Sequence, residues 1–239
     1  MNLQSPNILY EDSHLIVCVK PAGIATQSKK IGTPDMVSIL KNHIAESRKT
    51  IGQNKSSALP PVYTEPYLAV IHRLDQPVQG IMVFAKTPFA ARELNRELQA
   101  EGFGKYYRAA VSAKPPKDSG ILENYIVKDG RTNTSLICTK ETAGAKLAKL
   151  SYSTVNESER FFPISAPAVE LDVHLFTGRH HQIRVQLSQI GCPIIGDVKY
   201  TSCHQVQKSS RQGLMLCAYR LEFTHPKTKK RLSFKLVTC

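Results

Sequence analysis

Short runs of apolar residues, separated by turn-forming residues, occur along most of this 239-residue chain. Runs at 8–10 and 15–19 predict two strands, and runs at 67–71 and 81–85 predict two more. The runs at 105–111, 121–128, 135–139, 145–155 and 169–175 predict further strands. At the C-terminal end, 214–224 and 231–237 predict a hairpin whose turn contains His225 and Pro226.

Three segments instead carry apolar residues at helical spacing, which predicts helices over about 34–47, 88–102 and 180–190. Thr87 and Pro88 suit the N-cap and the first position of the second helix, and Gly191 suits the position just after the third. The apolar stripes are Met36, Val37, Leu40 and Ile44, then Ala90, Leu94 and Leu98, then Ile183, Leu187 and Ile190.

The predicted elements include many strands and few helices in an irregular order. This order predicts an α+β fold in a single domain, 1–239, built on a central mixed and largely antiparallel sheet that is flanked by helices. The polar segment 48–66 contains Pro60 and Pro61, and it predicts a long surface loop of that domain. The chain has no internal repeat and no low-complexity segment.

The segment 72–80, with the sequence HRLDQPVQG, joins the strands predicted at 67–71 and 81–85. Gln76-Pro77 ends the first strand, and Gly80 permits a bend before the second. Asp75 therefore stands where a strand stops and the chain turns, a position from which a rigid scaffold presents a side chain to a cleft. Two interpretations stay open: Asp75 forms the turn, or it is a functional carboxylate beside His72 and Arg73.

The charge of the chain favours a polyanionic partner. Its 32 Lys and Arg against 19 Asp and Glu give a net charge of +13, while 41% hydrophobic residues are typical of a globular protein. RNA, DNA or an acidic membrane surface would suit this charge. The membrane ranks last, because no basic amphipathic helix stands out and no apolar run approaches the roughly 20 residues of a membrane span. The polar start lacks a signal-peptide pattern, so we expect a cytoplasmic protein.

Few residue patterns in the chain could support chemistry. There is no glycine-rich phosphate loop, no G-x-S-x-G, no H-E-x-x-H and no dinucleotide fingerprint. The candidates are the carboxylate of Asp75, the ring or phenol of Tyr107, and the basic segment 179–184. An arginine beside Asp75 would keep that carboxylate ionised. The alternatives are strand packing for Tyr106 and Tyr107, of which at most one can face a site, and a solvated helix start for 179–184.

A metal site is not predicted. Cys192, Cys203 and His204 could be combined with His180 and His181, but their spacing fits no zinc pattern. The six cysteines are scattered along the chain and form no C-x-x-C pair.

Five stretches, in a fixed order, are similar to the motifs of one family. They are IVCVKPAG at 16–23, HRLDQPVQG at 72–80 with the apolar run to Lys86, KYYRA at 105–109, TGRHHQIRV at 177–185 with CPIIGD at 192–197 and Tyr200, and LCA at 216–218 with His225-Pro226. Together they resemble the signature of the RluA-type RNA pseudouridine synthases. The matches run from about residue 8 to 236, and the order of all five makes the resemblance specific.

The resemblance implies an isomerase that converts uridines of ribosomal or transfer RNA to pseudouridine, in a cleft across the sheet and with no metal or cofactor. It implies that Asp75 is the catalytic carboxylate, that Arg184 pairs with it, and that Tyr107 packs against the target base. Arg73 is similar in position to a family residue that can fill the space the base leaves. The residues expected to contact RNA are Lys20, His72, Arg73, Lys105, Arg179, His180 and His181.

Several positions depart from the family pattern, and they bear on substrate choice. Val78-Gln79 stands where Thr-Ser is usual, and Gln186 and Cys217 stand where histidine is common. We expect a monomer, and we expect no N-terminal S4 RNA-binding domain, because the catalytic motifs begin so early in the chain. Two other functions stay open: an RNA-binding or assembly factor without turnover, and a basic hydrolase that uses Asp75 with a histidine.

Overall fold

In the computed structural model, which describes residues 5–28, 30, 32–53, 65–100, 102–201 and 213–238, the chain forms one domain around a single mixed sheet. Its strands there are β1 (Asn7–Glu11), β2 (Leu15–Lys20), β3 (Ala69–Val70), β4 (Gln79–Ala85), β5 (Gly104–Val111), β6 (Ser119–Asp129), β7 (Thr134–Cys138), β8 (Lys146–Thr154), β9 (Val169–Leu175), β10 (Leu216–Thr224) and β11 (Arg231–Lys235). Its helices are α1 (Met36–Gln53), α2 (Pro88–Gln99) and α3 (Gln182–Gln189), with a one-turn 3-10 helix at Glu157–Glu159. The predicted α+β class is confirmed.

The strand pairing explains why the sheet is mixed. Neighbouring strands follow the order β1-β2-β4-β10-β5-β9-β8-β6-β7, with β11 paired to β10 and β3 paired to β4. β4 and β10 are parallel, and all other pairings between the described strands are antiparallel. The hairpin predicted at the C-terminal end is β10 and β11, with Arg220 opposite Lys235 and Thr224 opposite Arg231. A largely antiparallel mixed sheet is therefore confirmed.

Helices cover both faces of the central strands, so these strands are unbroken apolar runs. On β2, Ile16 packs in one cluster with Leu40 of α1, and its neighbour Leu15 packs in another with Leu94 of α2. All four side chains are fully buried. α3 joins the cluster of α1 through Ile183. The two helices α1 and α3 thus lie on the face of the sheet opposite α2.

The second helix, α2, begins at Pro88 as predicted, and α1 begins at Met36, two residues after its predicted start. The Oγ1 atom of Thr87 accepts a hydrogen bond from the N–H of Ala90 at 3.1 Å, which confirms the predicted cap of α2. α1 continues to Gln53, so the predicted loop is wrong for 48–53. In that segment Arg48, Lys49 and Gln53 favour a helix, whereas Gly52 disfavours one. Residues 54–64 of that loop lie outside the described residues, and Glu65 and Pro66 belong to neither a helix nor a strand. Within the described ranges, no helix is long and apolar enough to span a bilayer.

α3 begins two residues later than predicted, because His181 has a left-handed backbone with φ 51°. The side chain of Gln182 organises this entry. Its Oε1 accepts from the N–H of Arg179 at 3.0 Å and from Oγ1 of Thr177 at 2.8 Å, and its Nε2 donates to the carbonyl of Lys149 at 3.1 Å. The segment 177–182 is therefore fixed against β8.

Two predictions next to the segment 72–80 are wrong. The strand expected over 67–71 is reduced to Ala69–Val70. Gly80 makes no bend but lies within β4, with φ +145°. A Cβ atom at Gly80 would stand 2.4 Å from the carbonyl oxygen of Ala218 on β10. Glycine is needed here because the two parallel strands approach so closely.

Candidate active site

The turn that carries Asp75 is held by the segment that follows β2. Oγ1 of Thr26 donates to the carbonyl of Leu74 at 3.1 Å and accepts from the N–H of Leu74 at 3.2 Å. On the other side of Asp75, the carbonyl of Gln76 accepts from Nζ of Lys20 at 3.0 Å. The backbone is thus anchored on both sides of Asp75, which presents the carboxylate in a defined direction.

Arg184, the third residue of α3, lies between two carboxylates. Its Nε and Nη2 donate to Oδ2 and Oδ1 of Asp197 at 2.7 and 2.8 Å, and its Nη1 donates to Oδ2 of Asp75 at 3.2 Å. The predicted contact between Arg184 and Asp75 is present. Burial alone would lower the pKa of Arg184, but Asp197 and then Asp75 raise it above its ordinary value. The guanidinium is therefore a permanent cation, aimed by its bidentate pair with Asp197.

The two oxygens of Asp75 have different surroundings. Oδ2 faces Nη1 of Arg184 at 3.2 Å and Nε2 of His181 at 3.6 Å. Oδ1 makes no hydrogen bond or ion pair with any residue in the described part of the chain. The side chain is 27% exposed and lines a cleft. One oxygen is anchored, and the other is available to a substrate.

His181 is oriented by Tyr200. The oxygen of Tyr200 accepts the N–H of Ser135 at 2.7 Å and lies 2.8 Å from Nδ1 of His181. Burial lowers the pKa of His181 to about 4, against the opposing charge of Asp75, so the ring is neutral at pH 7. The Tyr200 oxygen already accepts from Ser135, so its own hydrogen is available for Nδ1 of His181. In that arrangement Nδ1 is an acceptor, and the proton of the neutral ring is on Nε2. A neutral N–H then faces Asp75 at a distance longer than a hydrogen bond.

Tyr107 lines the same cleft from β5. Burial, and then the charge of Asp75, raise the pKa of Tyr107 far above its ordinary value, so it is a protonated phenol at neutral pH. Its neighbour Tyr106 faces the other side of the strand, where its ring stacks on His174 with centroids 4.4 Å apart. Strand alternation therefore places only one of the two tyrosines in the cleft, as expected.

The cleft has a volume of about 840 Å³ and a basic lining. Among its described lining residues, Asp75 is the single carboxylate. The cationic lining residues are Arg73, Lys105, Lys128, Arg179 and Arg184. Because Arg184 is committed to two carboxylates, the other four cations remain to meet an anionic ligand. Lys128, on β6, was not among the residues predicted to bind RNA.

Lys20 does not reach this cleft. It is fully buried, and its Nζ donates to the carbonyls of Pro21, Ile24 and Gln76 at 3.0, 2.7 and 3.0 Å. Those three bonds use all three ammonium hydrogens. The prediction that Lys20 contacts RNA is therefore wrong, because this lysine fixes the turn that bears Asp75.

The histidines of the cleft have structural partners. Nε2 of His72 accepts the N–H of Val83 at 3.3 Å, its Nδ1 is buried, and burial lowers its pKa to about 3. His72 lines the cleft and is half-buried, so its contact with RNA stays a prediction, although both ring nitrogens face the protein. His181 is buried and occupied. His180 is half-buried and stacks on His181 with centroids 3.8 Å apart, with its Nδ1 2.9 Å from Oγ of Ser135.

The structure offers no support for the zinc alternative. In the parts of the chain that it describes, no group of three or more His, Cys, Asp or Glu is arranged to hold a metal ion. Cys192 is buried, with its Sγ 3.6 Å from the carbonyl of Ile190. Cys203 and His204 lie outside the described residues.

Comparison with known sequences relates the chain to one family. A profile described as RNA pseudouridylate synthase matches residues 14–189. An uncharacterized RNA pseudouridine synthase of Helicobacter pylori is 28% identical over 233 residues, which cover 96% of this chain and 65% of that protein. The dual-specificity RNA pseudouridine synthase RluA of Yersinia pestis is 28% identical over 229 residues, covering 95% of this chain and 97% of the relative. The chain thus spans about two thirds of the Helicobacter protein and nearly all of the Yersinia protein.

Solved structures show the same fold. Human RNA pseudouridylate synthase domain containing 4 has a TM-score of 0.70 and 21% identity, with 96% of this chain and 87% of that chain covered. Human RNA pseudouridylate synthase domain containing 1 has a TM-score of 0.72 and 19% identity, covering 99% and 84%. The chain therefore belongs to the RNA pseudouridylate synthase family, a family of isomerases, and its sequence relatives place it in the RluA-type branch.

Proposed function

We propose that the protein is an RNA pseudouridine synthase that isomerises uridines of ribosomal or transfer RNA, with Asp75 as its catalytic carboxylate. The observation that carries the proposal is the unequal use of the two Asp75 oxygens. Oδ2 is anchored by Arg184, while Oδ1 is free in a basic cleft. Family membership supplies the type of reaction, and this geometry supplies a group that is able to perform it.

The reaction requires the target uridine to leave its stack. Pseudouridine formation breaks the bond from N1 of uracil to C1′ of ribose and forms a bond from C5 to C1′, with no change in composition. Extracting the base costs a few kcal/mol, and loops of RNA are the least costly places to do so. The ring of Tyr107 offers a surface for the extracted uracil. Arg73 is exposed beside Asp75, and we propose that its side chain fills the space that the uracil leaves.

Three routes are open to the ionised carboxylate. Asp75 attacks C1′ of the ribose, attacks C6 of the uracil, or removes a ribose proton. All three need an unpaired oxygen that faces the substrate, which Oδ1 provides. All three also use the negative charge of the carboxylate, whose Oδ2 is held by Nη1 of Arg184 at 3.2 Å.

The cations that line the cleft would bind the RNA backbone. Arg73, Lys105 and Arg179 remain as cations from the predicted set, and Lys128 joins them. His180 also lines the cleft, but burial lowers its pKa, so we propose that it contacts RNA through its ring and not as a cation. Contacts of this kind release counterions, so we expect the affinity for RNA to fall steeply with added salt. We also propose that residues 1–239 act as a monomeric catalytic domain in the cytoplasm.

Tritium release tests the proposed reaction. Unmodified transcripts of ribosomal and transfer RNA are labelled with 5-³H-uridine and incubated with the protein. Each turnover replaces the C5 hydrogen, so tritium is expected in water and pseudouridine in the digested RNA. RNA labelled with 5-³H-cytidine is the matched control and should release none.

Two results of this assay would overturn the proposal. RNA that binds without tritium release from any cellular RNA class would indicate a binding or assembly factor. Free uracil or shortened RNA would indicate a hydrolase, because an isomerase leaves both the chain length and the mass of the nucleoside unchanged.

A further inference from the structure

Lys105 is a buried lysine without a counterion. The residue is 7% exposed and lines the cleft from β5. Its ammonium makes no hydrogen bond and no ion pair with any residue that the structure describes. Lys20 shows the contrast within the same chain, since its buried ammonium donates to three carbonyls. Its Nζ is not among the fully buried polar atoms, so the ammonium reaches the cleft, where no described residue pairs with it. A cation that is largely removed from water and has no counterion favours an anionic ligand at that point.

The surroundings of Lys105 are cationic or neutral. Burial, and then the charge of Arg179, lower the pKa of Lys105 to about 8. The nearby His72 ring is neutral at pH 7. In the segment that follows β9, the neighbour of β5 in the sheet, a Cβ atom at Gly178 would stand 3.6 Å from Nζ of Lys105. The residues named here lie close to the ammonium of Lys105, but none of them carries a negative charge.

The position of Lys105 suggests which anion is missing. Lys105 and Tyr107 are two residues apart on β5, so both side chains face the cleft, about 7 Å apart along the strand. In the proposed function the ring of Tyr107 meets the target uracil. A phosphate that flanks the same nucleotide lies within this reach. Uracil itself offers only neutral carbonyl oxygens, which offset a buried cation less well than a phosphate does.

We propose that Lys105 and Arg179 form a subsite for one RNA phosphate next to the target uridine. The inference deepens the proposed function, and it rests on that function for the identity of the ligand as RNA. The anion site is a property of the folded chain and can be tested without any RNA. The subsite would place the substrate along β5 and so set the distance between its ribose and Asp75.

The first test uses inorganic phosphate as the probe and ¹³C-labelled lysine for NMR of the full chain. The signal of Lys105 is the one that is missing in Lys105→Met. In chloride buffer it should titrate near pH 8, well below the value of about 10.4 for exposed lysines. Phosphate at equal ionic strength should raise the midpoint by about one unit, because an anion favours the ammonium form. Uridine without phosphate should leave it unchanged.

The second test measures how salt weakens the binding of an oligouridylate 12-mer. Lys105→Met should reduce the slope of log affinity against log salt by about 0.7, the value for one phosphate contact on a single strand. The matched control is Lys140→Met, which removes the same charge from an exposed turn and should leave the slope unchanged. Lys105→Met should fold as well as the wild type, because the ammonium makes no hydrogen bond or ion pair with a described residue that the change would break.

The outcomes separate this inference from the proposed function. A Lys105 signal that moves with phosphate supports the subsite even if tritium release fails. A Lys105 signal that ignores phosphate, or that titrates with the exposed lysines, overturns the subsite even if tritium release succeeds. An unchanged salt slope in Lys105→Met would also contradict it.

Discussion

Two carboxylates contact the guanidinium of Arg184, and they differ in how many of their oxygens it binds: two for Asp197 and one for Asp75. Asp197 is 1% exposed, binds Arg184 with both oxygens, and also accepts the N–H of Lys199 at 3.0 Å. Asp75 binds Arg184 with one oxygen, and its side chain is 27% exposed in the cleft. A buried carboxylate with all its partners in place stabilises the fold. A carboxylate with one anchored and one free oxygen is suited to chemistry.

Arg184 connects the two carboxylates, so each one influences the other. The bidentate pair with Asp197 sets the orientation of the guanidinium, and that orientation sets the position of Nη1 opposite Asp75. Asp197 therefore positions the candidate catalytic group without reaching the cleft itself. This difference can be tested by substitutions that should change the free energy of unfolding and the rate of reaction independently.

The largest expected effect on stability comes from Asp197→Asn. This change leaves the buried guanidinium of Arg184 with half of its charge partners, and breaking such a pair costs about 3–5 kcal/mol. Urea denaturation at pH 7 measures the free energy of unfolding. The matched control is Asp118→Asn on the surface, which should stay within about 0.5 kcal/mol of the wild type. A loss of less than about 1 kcal/mol in the free energy of unfolding for Asp197→Asn would contradict the structural role that distinguishes Asp197 from Asp75.

Tyr200→Phe should have the next largest effect. It removes the acceptor for the N–H of Ser135 and the donor to Nδ1 of His181, a loss of about 1–3 kcal/mol. ¹⁵N NMR of the histidine rings should show His181 protonated at Nε2 in the wild type and a mixture of tautomers in the variant. Tyr10→Phe, whose hydroxyl contacts Asp12 on the edge of the sheet, should leave the His181 signals unchanged. A wild-type His181 protonated at Nδ1 would refute the arrangement.

His181 should also make stability depend on pH. Burial lowers its pKa in the folded chain to about 4, whereas the unfolded value is about 6.5. The unfolded state binds more protons between these values, so stability falls as the pH drops through that window. Between pH 7 and pH 5 the wild type should lose about 1–2 kcal/mol more than His181→Gln. Equal losses for both proteins would show that His181 titrates normally.

The smallest effect on stability is expected for Tyr107→Phe. The Tyr107 hydroxyl has no hydrogen bond within the described part of the chain, so its removal should change the free energy of unfolding by less than about 0.5 kcal/mol. Tritium release by this variant then reports on the chemistry of the hydroxyl alone. A large loss of stability would reveal a structural role and would make that assay uninformative.

Local patterns predicted much of the fold because they act over a few residues. The cap at Thr87, the C-terminal hairpin and the buried stripes of the helices all depend on near neighbours. The extension of α1 over 48–53 is not predicted, because these residues make no apolar stripe and include Gly52, a poor helix former.

The candidate site was harder to predict because its contacts join distant segments. Asp75 and Arg184 lie 109 residues apart, and only the family resemblance connected them. Asp197 ends the motif CPIIGD at 192–197, but no spacing rule pairs it with Arg184. Lys20 was misassigned for a related reason. A lysine at the end of a strand is ordinarily exposed, and only the tertiary structure brings the carbonyl of Gln76 to its ammonium.

The most direct test of the central claim is the tritium-release rate of Asp75→Asn, measured with enzyme in excess over labelled RNA. The variant should fold within about 1 kcal/mol of the wild type, since the lost contact is single and partly exposed. Loss of the free Oδ1 charge should slow the reaction by about 10³-fold or more. A folded Asp75→Asn whose rate lies within about tenfold of the wild type would contradict the account.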